Sequence, residues 1–177
     1  MLKVGDQAKP FALESAKGLV KLSDAKGKYA VVYFYPRDNT PGCTREAQAF
    51  SKATKAFAKA GAVVYGISKD SVASHERFAD QCALTIDLLA DPDLATHKAY
   101  GAYGEKTMYG KKVLGTIRST FIVDPAGKIA RVFPRVKVDG HAEAVLEAIT
   151  ELAGGVEPKG PAAKARLVKV SAKASKR

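Results

Sequence analysis

The chain has 177 residues, an apolar content of 46% and a formal net charge of +11. This length favours one domain with a single large core, and no apolar run approaches the roughly 20 residues that cross a membrane. The N-terminal Met-Leu-Lys-Val-Gly-Asp lacks the apolar segment of a secretory signal. We therefore expect a cytoplasmic protein without a membrane partner.

Apolar residues follow strand-like and helix-like patterns that alternate along the chain. The first half predicts a hairpin (11–13 with 19–22), a near-continuous apolar strand (30–35), a helix from 44 that stops at Gly61, and a strand (62–68). The second half predicts a helix capped by Ser71 (71–82), a strand (86–89), a short helix (93–100), a loop-like segment (101–115), a hairpin (117–123 with 128–133) and a last helix (139–152). This succession predicts an α/β fold with a central sheet flanked by helices.

The basic charge is concentrated at the end of the chain. Residues 156–177 hold seven Lys and Arg residues against a single Glu, so this segment carries more than half of the net charge of +11. Its Ala, Lys and Pro composition is typical of disordered segments. We therefore expect a domain over residues 1–155 and a disordered basic tail over 156–177. That tail is either a solvated segment or a weak, sequence-independent contact for nucleic acid.

One run, from Pro36 to Glu46, predicts the reactive site. It reads Pro-Arg-Asp-Asn-Thr-Pro-Gly-Cys-Thr-Arg-Glu and separates the apolar strand from the next helix, so Cys43 occupies a helix N-terminus. Unpaired backbone N–H groups and the helix dipole favour a thiolate there, and the thiolate is the nucleophilic form. The sequence therefore predicts that Cys43 is a nucleophile. Glu46 either joins an ionic network with Arg45 or Arg118 or only favours the helix dipole.

Two motifs resemble those of a known family. Pro36, Thr40 and Cys43 form Pro-x-x-x-Thr-x-x-Cys, and a second block over 108–124 contains Met-Tyr-Gly-Lys-Lys and Gly-Thr-Ile-Arg-Ser-Thr-Phe. Together they resemble the Q-type peroxiredoxins, also called bacterioferritin comigratory proteins, from about residue 4 to about residue 152. The resemblance implies a thioredoxin-like fold and a thiol-dependent peroxidase that reduces hydrogen peroxide and organic hydroperoxides without a cofactor.

The resemblance also implies roles for the residues around Cys43. The Thr40 hydroxyl, the Cys43 backbone N–H and the Arg118 guanidinium are expected to donate hydrogen bonds to the peroxide oxygens, and Pro36 is expected to shield the thiolate from water. Arginine suits this role because it stays charged and presents several donors in one plane. Such donors stabilise the charge that develops on the leaving oxygen.

Regeneration of the enzyme requires a second thiol, because a sulfenic acid condenses with one. Many Q-type relatives carry it five residues after the first cysteine, where this chain has Gln48. Cys82 is therefore the candidate resolving cysteine within the chain, which would make an atypical two-cysteine enzyme. The alternatives are resolution by an outside thiol and an inert, buried Cys82. The resemblance implies a thioredoxin-like dithiol as the reductant, and we expect a monomer.

Other kinds of site are not favoured. The three histidines, His75, His97 and His141, lack ligand spacing, so a metal site is not expected. We expect His75 and His97 to lie on helix surfaces. The chain has no Cys-x-x-Cys and no glycine-rich phosphate loop, which argues against a dithiol reductase and a nucleotide cofactor. The alternative function is nucleic-acid binding by the basic tail on a thioredoxin-like scaffold.

Overall fold

Residues 1–154, described by a computed structural model, contain strands and helices that follow the predicted order except in two segments. The strands are β1 (Ala12–Ser15), β2 (Gly18–Lys21), β3 (Tyr29–Phe34), β4 (Ala62–Ser68), β5 (Asp87–Ala90), β6 (Tyr103–Met108), β7 (Lys111–Thr116), β8 (Ser119–Val123) and β9 (Ile129–Phe133). The helices are α1 (Pro41–Lys52), α2 (Thr54–Lys59), α3 (Val72–Cys82), α4 (Ala95–Tyr100) and α5 (His141–Ala153).

Seven of these strands form one mixed sheet in the order β2-β1-β5-β4-β3-β8-β9. The central strands β3, β4 and β5 are parallel, whereas β8 pairs antiparallel with β3 and β9 antiparallel with β8. Strands at the centre of such a sheet are covered on both faces, and every residue of β3 after Tyr29 is buried. The carboxyl ends of the three parallel strands meet at one edge, so the loops that follow them are neighbours.

Helices cover both faces of the sheet. Alternate residues of β3 point to opposite faces, so Tyr33 joins one hydrophobic cluster with α1, α2, α3 and α5, while Phe34 joins the other. The second cluster includes Tyr100 of α4 and Phe11 of the N-terminal segment. A mixed sheet with helices on both faces confirms the predicted thioredoxin-like α/β fold.

The segment 101–115 is not the loop that the sequence predicted. Residues Tyr103–Met108 and Lys111–Thr116 form an antiparallel hairpin that stands apart from the main sheet. Its turn places Tyr109 and Gly110 at φ values of 52° and 78°, which is the backbone of a tight hairpin turn. The hairpin was missed because most of its side chains are exposed or half-buried, so no apolar face marks the strands.

The long helix predicted to end at Gly61 is instead two helices. α1 ends at Lys52 and α2 starts at Thr54, with Ala53 between them outside regular helical geometry. The Thr54 hydroxyl donates to the Phe50 carbonyl at 3.3 Å, a local side-chain bond that competes with the helical ladder. The apolar stripe continues across the break, so periodicity alone does not reveal it.

The predicted basic tail, 156–177, lies outside the described residues. Within residues 1–154, no helix is long and apolar enough to cross a bilayer.

Candidate active site

Cys43 lies at the edge of the sheet where β3 ends and α1 begins. It is the third residue of α1, after Pro41 at the first helical position, and is about 1% exposed. The first helical hydrogen bond to the capping residue runs from Thr44 N to Thr40 O at 2.8 Å. The N–H groups of Gly42 and Cys43 precede it and therefore have no helix carbonyl to bond. Cys43 thus lies in the first turn of α1, where free N–H donors and the positive end of the helix dipole are found. This is the predicted position.

Arg118 approaches Cys43 because of the strand pairing. Antiparallel pairing of β3 and β8 sets Phe34 opposite Ser119, so the residue before β8 lies beside the loop after β3. Arg118 Nη2 donates to Cys43 Sγ at 3.3 Å, and Nη1 donates to Glu46 Oε1 at 2.5 Å. Burial lowers the pKa of Arg118, but Glu46 and Cys43 raise it above its usual value. A charged guanidinium is therefore held against the sulfur.

Glu46 joins the network with Arg118 and not with Arg45, whose exposed guanidinium is 3.6 Å from Asp139. Burial raises the pKa of Glu46 to about 7, although Arg118 opposes this shift. The upward direction agrees with the geometry, because the second oxygen, Oε2, is buried without a hydrogen-bond partner. Near neutral pH, the Glu46 carboxyl group that faces Arg118 is therefore only partly ionised. The positive charge of Arg118 thus remains available to pair with the Cys43 sulfur.

The raised pKa of Glu46 predicts a pH-dependent loss of stability. The ordinary pKa is 4.5, so between that pH and about 7 the folded state holds a proton that the unfolded chain has lost. The free energy of unfolding should fall as pH rises through this window, by roughly 3 kcal/mol at most, and Glu46→Gln should lack this component. Urea titrations of both proteins near the two ends of the window check it. If the free energies of unfolding of wild type and Glu46→Gln differ by the same amount at both ends of the pH window, the raised pKa of Glu46 is contradicted.

Thr40 occupies the N-cap position of α1, but its side chain makes no capping hydrogen bond. The Thr40 hydroxyl donates instead to the Arg37 carbonyl at 2.9 Å. The sequence analysis expected this hydroxyl to donate to the peroxide, but its only proton is already engaged. The oxygen lone pairs of the hydroxyl stay available to accept a hydrogen bond.

Pro36 and Cys82 occupy less direct positions. Pro36 is half-buried and lies two residues after the end of β3, in the loop that leads to Cys43. Cys82 is the last residue of α3 and is partly buried against the same hydrophobic cluster as Cys43. Both cysteines are free thiols. Gln48 is half-buried in α1.

His75 and His97 are buried, not on helix surfaces as predicted. Each is about 1% exposed or less, and each bonds a carboxylate: His75 Nδ1 lies 2.7 Å from Asp38 Oδ2, and His97 Nδ1 lies 2.6 Å from Asp91 Oδ2. The signal was present in the sequence. His75 shares an inward helix face with Phe78 and Cys82, at spacings of three and seven residues.

His141, the first residue of α5, lies next to the charged centre. Its Nε2 is 2.8 Å from Thr120 Oγ1, and burial together with Arg118 lowers its pKa to about 4. The imidazole is therefore neutral at physiological pH. It adds no second positive charge that would compete with Arg118 for the sulfur.

Lys106 on β6 also interacts electrostatically with Arg118 and Cys43, and it was not identified from the sequence. Its ammonium donates to the Thr116 carbonyl at 2.9 Å. Burial and Arg118 lower its pKa, while Cys43 opposes this shift. Within residues 1–154, no group of three or more His, Cys, Asp and Glu side chains could hold a metal ion.

Comparisons with known proteins agree with this site. The AhpC/TSA family matches residues 4–132. A Helicobacter pylori protein named putative peroxiredoxin bcp is 47% identical over 149 residues, which span 84% of this chain and 98% of that protein. The Escherichia coli peroxiredoxin Bcp is 39% identical over 151 residues, 85% of this chain and 97% of that protein.

Solved structures give the same result. One described as showing the alkyl peroxide reduction activity of the Xanthomonas campestris bacterioferritin comigratory protein is 42% identical, with a TM-score of 0.76 over 81% of this chain and 92% of that one. A cysteine-to-serine mutant of Xylella fastidiosa PrxQ is 37% identical, with a TM-score of 0.80 over 86% of this chain and 98% of that one.

The family match spans Cys43, Arg118 and the sheet as far as residue 132. The comparisons give no support to nucleic-acid binding as the function. The chain belongs to the AhpC/TSA family as a peroxiredoxin of the Bcp, or Q, type and is a thiol-dependent peroxidase.

Proposed function

We propose that Cys43 is the thiolate that attacks hydrogen peroxide and organic hydroperoxides. The observation that carries this assignment is the 3.3 Å contact between Arg118 Nη2 and Cys43 Sγ at the N-terminus of α1. Full ionisation of an ordinary thiol accelerates attack at most about thirtyfold, roughly 2 kcal/mol. The greater part of the rate must therefore come from groups that stabilise the transition state.

The attack transfers a hydroxyl group to sulfur. The Cys43 thiolate bonds to one peroxide oxygen, the O–O bond breaks, and the leaving hydroxide or alkoxide takes up a proton as water or alcohol. Negative charge moves from the sulfur to the leaving oxygen. Arg118 and the N–H groups of Gly42 and Cys43 lie where they stabilise that charge, and Thr40 accepts the O–H of the attacked oxygen. Pro36, which has no N–H, shields the sulfur from water.

Cys82 then resolves the Cys43 sulfenic acid within the same chain. The free thiol at the end of α3 and the glutamine at position 48 support this assignment. A disulfide needs Cα atoms within about 4.4–6.8 Å, and Cys43 is packed in a helical turn. Local unwinding of α1 or α3 therefore accompanies the step.

Cys82→Ser should react once with peroxide, recycle poorly with thioredoxin and over-oxidise sooner than wild type, because its sulfenic acid persists. After one equivalent of peroxide, non-reducing peptide mapping of wild type should find Cys43 linked to Cys82 in a monomer. If Cys82 can still be alkylated in fully oxidised wild type, an outside thiol resolves the enzyme and this assignment is wrong.

A thioredoxin-like dithiol reduces the disulfide, and the cytoplasm, where such dithiols are regenerated, is the compartment that fits this cycle. The test of the whole cycle is peroxide consumption coupled to thioredoxin and its reductase, measured for wild type and for each cysteine variant. Turnover that requires Cys43 and thioredoxin supports the proposal. Turnover without thioredoxin would assign a different reductant.

A further inference from the structure

A buried carboxylate and a buried imidazole connect the two segments that carry cysteines. Asp38 lies in the loop between β3 and α1, five residues before Cys43. His75 lies near the start of α3, whose last residue is Cys82. Their side chains are 3% and 1% exposed, and Asp38 Oδ2 is 2.7 Å from His75 Nδ1. The Asp38–His75 pair is therefore a direct, solvent-excluded link between the two segments.

The Asp38 carboxylate has further partners that fix the loop in place. Oδ1 accepts from the Tyr35 hydroxyl at 2.7 Å, and Oδ2 also accepts from the Ser74 hydroxyl at 2.8 Å. The backbone N–H of Asp38 donates to Asp70 Oδ2 at 2.8 Å. The loop that carries Thr40 is thus anchored to the residue that follows β3, to the loop after β4 and to α3.

Both members of the pair are fully hydrogen-bonded. His75 Nε2 lies 3.0 Å from the Leu89 carbonyl oxygen, which can only accept, and Nδ1 faces a carboxylate. Both ring nitrogens of His75 therefore face oxygen acceptors, at either end of a buried ring. Burial would raise the pKa of Asp38, but the hydrogen bonds from His75 and Tyr35 hold it below its usual value. Separating two such buried polar groups is costly unless both reach water.

We propose that His75 is a positioning residue for peroxide reduction. Through Asp38 it holds the Thr40 loop and the first turn of α1 in the arrangement that reacts with peroxide, and this link must open before Cys43 and Cys82 can join. The proposal rests on the proposed role of Cys82.

The disulfide step needs no added oxidant. The Cys82 sulfur attacks the Cys43 sulfenic sulfur, the S–O bond breaks, and hydroxide leaves with the proton of Cys82 as water. Because Cys43 is buried in a helical turn and Cys82 ends another helix, at least one of the two segments has to move for this bond to form. The Asp38–His75 pair opposes that movement. It therefore lengthens the time during which a second peroxide can oxidise the sulfenic acid to a sulfinic acid.

The test uses His75→Asn and Asp38→Asn in the full chain, with His97→Asn as a matched control. His97 is equally buried and bonds Asp91 Oδ2 at 2.6 Å, but its helix, α4, carries no cysteine. Hydrogen–deuterium exchange of the reduced proteins measures opening of residues 40–46 and 72–82. Stopped-flow mixing with peroxide measures sulfenic acid formation, disulfide formation and the sulfinic acid fraction.

We expect His75→Asn and Asp38→Asn to raise exchange in both segments by about tenfold or more. Reaction with peroxide should slow, disulfide formation should accelerate, and the sulfinic acid fraction should fall. His97→Asn should lower the melting temperature without changing any of these. Unchanged exchange in both test variants, or the same changes in His97→Asn, would overturn the proposal.

Two further variants keep the outcome decisive. If the first two proteins fail to fold, Ser74→Ala removes a single hydrogen bond to the same carboxylate, and unchanged exchange in that variant would overturn the proposal. The single variant Cys82→Ser, compared with wild type, separates the two claims. If exchange rises but Cys82→Ser alone over-oxidises no faster than wild type, the positioning role of His75 stands and the resolving role of Cys82 fails.

Discussion

Cys43→Ser should abolish peroxide turnover while the protein stays folded. Serine is nearly the same size as cysteine and can still accept a hydrogen bond from Arg118 Nη2, so the buried environment at the start of α1 is preserved. A serine hydroxyl is not ionised at neutral pH and is a far weaker nucleophile towards peroxide. The coupled assay with thioredoxin should therefore show only the background rate.

Circular dichroism and the urea midpoint provide the control for this variant. Both should remain close to wild type, since no cavity is created and Arg118 keeps its hydrogen bond to Glu46 Oε1. Cys82→Ser, which leaves the nucleophile in place, should still consume one equivalent of peroxide. Peroxidase activity that survives in Cys43→Ser would move the reaction to another residue.

Arg118→Ala should lower the rate constant for reaction with peroxide by roughly 10²–10³-fold, since a donor aimed at developing charge is lost. Stability should change much less. Without Arg118, the buried carboxyl of Glu46, whose pKa is already raised to about 7, takes up a proton at neutral pH instead of remaining an unpaired charge.

Arg118→Lys is the matched variant. One ammonium cannot reproduce the two separate bonds to Glu46 Oε1 and Cys43 Sγ, so we expect a loss of about tenfold, between wild type and alanine. Stopped-flow measurement of the peroxide step, with the urea midpoint for each protein, distinguishes catalysis from folding. If Arg118→Lys reacts with peroxide as slowly as Arg118→Ala, the catalytic effect of Arg118 comes from the geometry of its hydrogen bonds and little of it from charge alone.

The main elements could be predicted because local pattern and tertiary structure agree there. The apolar runs that became β3 and β4 are buried on both faces, and Ser71 caps α3 by accepting a hydrogen bond from Ser74 N at 3.1 Å. The strand–loop–helix setting of Cys43 followed from the same patterns. Identification of Arg118 came from family resemblance, because only the antiparallel pairing of β3 with β8 brings it to the loop.

What the sequence did not predict depends on contacts between distant segments. The Asp38–His75 pair joins residues 37 positions apart. The helix face that His75 shares with Phe78 indicates burial, but nothing local shows which residue will be its partner. The hydrogen bond from the Thr40 hydroxyl to the Arg37 carbonyl, at 2.9 Å, depends on the conformation of the loop and cannot be read from the sequence. The β6–β7 hairpin was missed because exposed strands lack the alternation that marks a buried face.

The most direct measurement is chemical trapping of the sulfenic acid in Cys82→Ser. The reduced variant is mixed with one equivalent of hydrogen peroxide in the presence of dimedone, and the adduct is located by peptide mass spectrometry. The account predicts one adduct, on the peptide that contains Cys43, at a yield close to the peroxide consumed. It also predicts that Arg118→Ala, added to this variant, slows formation of the adduct without moving it. Peroxide consumption with no adduct on Cys43 would contradict the central claim.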